Sequence, residues 1–208
     1  MLELGGTPPF RFRAGQYLTL HLASESEPLP YSIASADIGG EPVTFTLAIG
    51  PGTGAELLAG TGPGAELAVG GPFGSFTLES APAALLVGAG TGLAPLRAHS
   101  LEWLARPGSA PIVLLAGART QSDLLWHDEL LALARRHAGF RYEPVLSQPG
   151  PSWTGRRGRV QEHLRAFTST LPASFEARVC GAVDMVASTV SRLEELGVAR
   201  ARIAAESY

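Results

Sequence analysis

The chain has 208 residues, 45% of them apolar, with a formal net charge of −3. That suffices for one large domain or two small ones around a true hydrophobic core. Without a basic stripe, a long like-charge run or an apolar run of membrane-spanning length, nucleic acid and membrane are poor partners.

The start Met1-Leu2-Glu3-Leu4 lacks a signal-peptide pattern, so the expected location is the cytoplasm. Tyr17 to Leu22 alternates, with Leu18, Leu20 and Leu22 on one face of a strand. Val43 to Ile49 alternates apolar with small or polar residues, as a half-buried antiparallel strand does. Gly50-Pro51-Gly52 and Gly70-Gly71-Pro72 separate such pieces as turns. Short strands between Gly/Pro turns predict a small β-barrel or sandwich up to about Ser80.

The texture changes near Ser80-Ala81-Pro82. Ala84 to Val87 and Ile112 to Ala116 are apolar throughout, as parallel strands covered on both faces are. Leu86-Val87-Gly88-Ala89-Gly90-Thr91-Gly92-Leu93-Ala94-Pro95 then reads as a strand, a glycine turn and a helix start. Such a turn lets a pyrophosphate approach the backbone, and the helix N-terminus offers free N–H groups. By itself the string fits an empty strand-to-helix turn equally well. Thr120-Gln121-Ser122-Asp123 predicts a capping box opening a helix to about His137. Val183, Val186, Val190 and Leu193 predict one face of a helix that ends at Gly197. The alternation predicts an α/β unit with a parallel sheet over residues 81–208, following a β unit over residues 1–80.

The chain has one cysteine, Cys180, which cannot hold an iron–sulfur cluster alone. The five histidines are scattered, no pair has metal-ligand spacing, and no metal site is expected. All 16 basic residues are arginine, which reads as base composition rather than mechanism.

The glycine string resembles the Gly-x-Gly-Thr-Gly-x-x-Pro pattern of the ferredoxin–NADP reductase superfamily. The resemblance continues in order along nearly the whole chain. Ala14-Gly15-Gln16-Tyr17, Pro30-Tyr31-Ser32-Ile33-Ala34-Ser35 and Gly71-Pro72-Phe73-Gly74-Ser75-Phe76 match landmarks of the family's barrel. Gly117-Ala118-Arg119-Thr120, Trp153 to Val160 and Val179-Cys180-Gly181 with Met185 match segments of its nucleotide-binding unit. The terminus Glu206-Ser207-Tyr208 resembles the Glu-x-Tyr ending of plant-type reductases.

The resemblance implies a flavin-binding β-barrel over residues 1–80 and an NAD(P)-binding α/β domain over residues 81–208. It implies FAD, with FMN as an alternative, and NADH or NADPH as hydride donor. Tyr31 is then expected on the flavin ring, Ser32 on its hydride-accepting nitrogen, and Ser35, Gly52 and Thr53 toward its phosphate. Gly88, Gly90, Thr91, Gly92, Pro95, Arg119, Gly181 and Met185 are expected to bind the dinucleotide. Ser32, Cys180, Glu206 and Tyr208 form the expected hydride-transfer corner, where Tyr208 stacks over the flavin until nicotinamide displaces it. By residue type alone, Cys180 suits a small buried apolar position and Tyr208 a frayed terminus.

Two departures bear on the flavin. The family's phosphate-pairing arginine falls at Leu29, and losing a charge-assisted contact costs on the order of 1.5–3 kcal/mol. Arg11 and Arg13 are the candidates to replace it. The family's first strands precede the stretch matched by Leu2-Glu3-Leu4, so an incomplete barrel with an open edge is expected. Ser147-Gln148-Pro149-Gly150 favours NADH, while Arg119 and Arg156 keep NADPH open. Three functions follow: a reductase passing electrons to an oxygenase or iron–sulfur protein, a reductase of free flavin, or a non-catalytic dinucleotide-binding or interaction module.

Overall fold

The structure, a computed structural model, describes residues 2–6, 11–21, 27–37, 43–50, 53–59, 61–62, 64–79, 81–108 and 110–208. The predicted strand that begins at Tyr17 forms β2 (Tyr17–His21), with Leu18 and Leu20 fully buried. Leu22 lies outside the described residues. β2 pairs antiparallel with β3 (Leu29–Ser32) and β5 (Ala68–Phe73). β1 (Leu2–Gly6) pairs with β4 (Val43–Leu47), and an Ile33–Leu47 bridge joins the two small sheets. Phe12, Leu18, Leu20, Ile33 and Leu47 fill the space between them, with Leu58 of helix α1 (Thr53–Ala59) and Leu29 at the margin.

The second half is a six-stranded parallel sheet. Its central strands are β6 (Ala84–Ala89), β7 (Ile112–Ala118) and β8 (Phe140–Leu146), with the short β9 (Arg156–Arg157) beyond β8. β10 (Glu176–Gly181) and β11 (Ile203–Ser207) extend it on the other side of β6. The order β11-β10-β6-β7-β8-β9 reverses direction between β6 and β10. A crevice opens at such a reversal, outside the carboxyl ends of the two strands, and ligands collect there.

Both faces of this sheet are covered, which is why its strands are apolar without alternation. One face packs on α2 (Leu93–Leu104) and α3 (His127–Arg136) through Leu86, Leu96, Trp103 and Leu130. The opposite face packs on α4 (Val160–Thr168) and α5 (Val183–Glu195) through Val87, Leu115, Phe167 and Leu193. Helix α5 follows its predicted stripe at Val186, Val190 and Leu193, with Gly197 just beyond its end. Val183, in its first turn, is 60% exposed and leaves the stripe.

The Thr120 capping box forms, but it closes a single 3₁₀ turn over Gln121–Asp123 rather than opening the helix. Helix α3 starts later, after Trp126, which has φ +54°. A left-handed backbone at so bulky a residue costs on the order of 1–3 kcal/mol and persists only where its surroundings enforce it.

The β unit is fastened to the sheet through its main chain. Arg178 on β10 donates from Nε (3.0 Å) and Nη2 (2.8 Å) to the Thr77 carbonyl. Arg106 donates to the carbonyls of Leu78 (3.2 Å) and Glu79 (2.9 Å), while Glu102 accepts the Ala14 N–H at 2.8 Å. His99 of α2 is buried in this seam beside Phe76, and its Nε2 has no partner among the described residues.

Burial and then the positive charge of Arg178 push the His99 imidazole down to about 3, so it is neutral in the folded protein. The unfolded chain takes up a proton below about pH 6.5, so folding stability falls as pH drops through that window. His99 alone should cost about 2 kcal/mol at pH 5 relative to neutral pH. Thermal melts between pH 8 and pH 4 should show a shallower acid slope for His99→Leu than for the parent, and equal slopes would remove His99 from the acid response.

Candidate active site

The parallel register sets the residues of the reversal point side by side. Cys180, near the end of β10, is level with Gly88 on β6 and with Glu206 on β11. In the β unit, Ser32 ends β3 level with Tyr17 on β2. The two groups face one cleft of about 540 Å³ between the halves of the chain, lined by Tyr17, Tyr31, Ser32, Thr91, Cys180, Glu206 and Tyr208 among others. The fold therefore brings together the four residues of the expected hydride-transfer corner and two of the expected cofactor contacts.

The glycine turn packs against the end of β10. A Cβ on Gly92 would lie 2.3 Å from the Cys180 carbonyl oxygen, so only glycine permits this approach. Gly90 has φ +57°, and Gly181 sits with the Met185 methyl close against it. Pro95 is buried in the first turn of α2. Tyr208 reaches back over the turn, where its hydroxyl accepts the Gly92 N–H at 2.7 Å and donates to the Ala89 carbonyl at 3.0 Å. The phenol thus occupies an N–H of the kind that receives an anionic oxygen at a helix start. Tyr208 remains 62% exposed, as a displaceable cover would be.

Tyr31 leans on α1: a Cβ on Gly54 would fall 2.0 Å from its hydroxyl oxygen. Partial burial raises the phenol above its ordinary range, so Tyr31 stays a neutral donor. Burial likewise raises the Glu206 carboxyl. Burial and then the nearby Glu206 charge push the Cys180 thiol up to about 12.

Other expected contacts are placed differently. The Ser35 hydroxyl accepts the Thr46 N–H at 3.2 Å, which ties two segments of the β unit together. Thr53 is the first residue of α1, and Gly52 lies outside the described residues. Leu29 packs on the core of the β unit. The two arginines named as candidates to replace it are paired elsewhere, Arg11 with Asp37 at 2.9 Å and Arg13 with Glu79 at 3.2 Å. Arg119 is exposed at the end of β7, whereas Arg156 is held by Glu143 at 2.9 Å and lies over the Phe167 ring. Sequence reasoning placed Tyr17 only as a landmark. Its register with Ser32 carries it to the cleft, and strand alternation alone does not reveal which partner strand faces it.

The residues present fit a flavin ring at this cleft. Three tyrosine side chains, the hydroxyls of Ser32 and Thr91 and a small thiol surround the space, beside a backbone turn whose Gly92 N–H is held by the Tyr208 hydroxyl.

A family model described as "Oxidoreductase NAD-binding domain" matches residues 86–191. The chain is 40% identical over 218 aligned positions to ferredoxin–NADP reductase B of Sorangium cellulosum, covering 96% of this chain and 86% of that one. The chain belongs to the ferredoxin–NADP reductase family. It is also 32% identical to the xylene/toluene monooxygenase electron transfer component XylA of Pseudomonas putida, covering 95% of this chain and 57% of that one. Among solved structures, the Amycolatopsis cytochrome P450 reductase GcoB superposes with a TM-score of 0.83 at 29% identity, over 99% of this chain and 63% of that one. The chain thus spans most of one relative and about three-fifths of the other two.

A thiol with so high a pKa is almost entirely protonated at neutral pH and a poor nucleophile. Iodoacetamide at pH 8 should alkylate Cys180 in the folded protein at least about tenfold more slowly than in urea-unfolded protein. Equal rates, read by intact mass, would mean that the thiol is not shielded as the structure has it.

Proposed function

We propose that this chain is an NAD(P)H-dependent flavoprotein reductase that takes hydride from NADH and passes electrons to a separate acceptor such as an oxygenase or an iron–sulfur protein. The observation that carries this reading is the cleft shared by Tyr31 and Ser32 on one side and Thr91, Cys180, Glu206 and Tyr208 on the other. Residues 1–80 would hold the flavin, as FAD, and residues 81–208 the dinucleotide. When bound, the flavin would supply acceptance of one hydride, a pair of electrons with its proton, and release of those electrons singly or together, chemistry no side chain here performs.

The chain's own residues bind, orient and exclude water. Tyr31 and Tyr17 offer aromatic surface for a flat ring, and the Ser32 hydroxyl supplies a hydrogen bond at its reacting edge. The glycine turn and the start of α2 receive the dinucleotide phosphates, for which Tyr208 must give up the Gly92 N–H. Cys180 and Gly88 are small at the level where a nicotinamide ring must approach, and Glu206 holds the ring's orientation. Gly181 and Met185 close the far side of that approach. Membership of the family supports FAD and a nicotinamide dinucleotide. NADH is favoured because Ser147 is followed by Gln148 and because Glu143 and Phe167 hold Arg156, leaving Arg119 as the candidate for an extra phosphate. The relatives named as electron transfer components support an acceptor protein. No helix among the described residues is long and apolar enough to cross a membrane, and we place the chain in the cytoplasm.

A second reading, reduction of free flavin as a substrate, is favoured by Leu29 and by the engagement of Arg11 and Arg13 with acids. The visible spectrum separates the two. A yellow protein bleached by NADH under anaerobic conditions supports bound flavin. A colourless protein that oxidises NADH only with added flavin supports the second reading. A protein that binds NADH and does neither would sink both.

Ser32→Ala should slow flavin reduction by NADH roughly tenfold, the rate equivalent of about one hydrogen bond, with little change in melting temperature. Matching rates for variant and parent in anaerobic stopped flow would refute that role.

A further inference from the structure

Arg97, on α2 between the glycine turn and His99, is spent on neither the flavin nor the dinucleotide in the reading above. Its side chain is only 14% exposed. Nη1 donates to the Ala34 carbonyl at 2.7 Å. Nε and Nη2 grip the Glu129 carboxylate of α3, with Nη2–Oε1 at 2.7 Å and Nε at 3.1 Å from both oxygens. The guanidinium lies over the Trp126 ring, 5.2 Å from its centroid. This is the same Trp126 whose left-handed backbone delays the start of α3. That unfavourable conformation places the indole beneath Arg97, with Glu129 one turn along the helix from it.

Ala34 is two residues beyond Ser32 and fully buried, packed with Ala48 and Ala94. Its N–H donates to the Thr46 carbonyl at 2.7 Å, so the segment is held on one side by β4 and on the other by Arg97. Helix α2, which carries Arg97, also carries the glycine turn at its start. One rigid element thus holds both the dinucleotide-facing turn and the strand end that presents Tyr31 and Ser32.

We infer that Arg97 is a positioning residue, which with Trp126 and Glu129 sets the flavin-facing strand end at a fixed distance from the dinucleotide-facing turn. This rests on the reductase reading for what the two surfaces hold, but the anchoring itself is testable without any ligand. A lysine at this position would keep the charge yet lose the planar fork that meets Ala34 and Glu129 together.

The test compares the parent with Arg97→Met, Arg97→Lys and Glu129→Gln. In flavin-free protein, hydrogen–deuterium exchange over residues 33–36 should be at least about tenfold faster in Arg97→Met, while β6 stays as protected as in the parent. Arg97→Lys and Glu129→Gln should fall between. The dissociation constant for FAD should rise by about tenfold in Arg97→Met, and that for NADH by less than about twofold. Should Arg97→Met fail to fold, the same contrasts are read in Glu129→Gln. Uniform acceleration across β6 and residues 33–36, with both ligands weakened alike, would mean a merely structural contact and overturn the proposal. Unchanged exchange over residues 33–36 would overturn it too. If the parent binds no flavin, the reductase reading fails, while the exchange pattern still decides whether Arg97 anchors this segment.

Discussion

The geometry of the cleft depends on how a small β unit is held against a parallel sheet. Three arginines make contacts of one kind: a guanidinium from the sheet side donating to a main-chain carbonyl of the β unit. Arg178 reaches Thr77, Arg106 reaches Leu78 and Glu79, and Arg97 reaches Ala34. Side chains of α2, of Arg106 just after it and of β10 thereby grip backbone of the β unit rather than its side chains. A carbonyl cannot swing away on a rotamer, so such a bond fixes chain position more firmly than a side-chain pair does.

Given that seam, the rest of the site follows from strand register. A parallel sheet places equivalent residues of neighbouring strands level with one another, and here that level holds Gly88, Cys180 and Glu206. Two of the three are small, and the third is an acid whose proton burial helps to retain. The strand order reverses between β6 and β10, so this level is also where a crevice must open. The β unit supplies the facing wall through Tyr17, Tyr31 and Ser32. Hydride transfer needs two rings in contact and little else from the protein, which suits a cleft of hydroxyls, aromatic surface and one protonated thiol.

Much of this was legible in the sequence where local pattern and fold requirement coincide. The alternation after Tyr17 gave a buried Leu18 and Leu20, and the apolar runs before Gly88 and after Pro111 gave central parallel strands. The ordered resemblance carried Cys180, Glu206 and Tyr208 to the cleft although nothing local marks them. What escaped was decided by contacts distant in sequence. Thr120 to Asp123 has the chemistry of a helix start, but Trp126 is drawn beneath Arg97 and the helix begins after it. Ser35, expected near a phosphate, also ties to β4, its hydroxyl accepting the Thr46 N–H, a bond that local pattern does not announce. Val183 fits its helical stripe by spacing but falls in the first turn and stands exposed. Arg97 carried no signal at all, because its partners lie 63 and 32 residues away.

The absence of lysine has a consequence for the seam whatever its genomic origin. A lysine ammonium in a half-dry interface sheds its proton as alkalinity rises or as its surroundings desolvate it, and a single ammonium cannot bridge a carbonyl and a carboxylate in one plane. A guanidinium keeps its charge throughout the range in which proteins survive, and amide oxygens have no ionisation to lose. The guanidinium-to-carbonyl bonds of the join are therefore made between groups that do not titrate. Alkaline conditions alone give these fastenings no reason to let go.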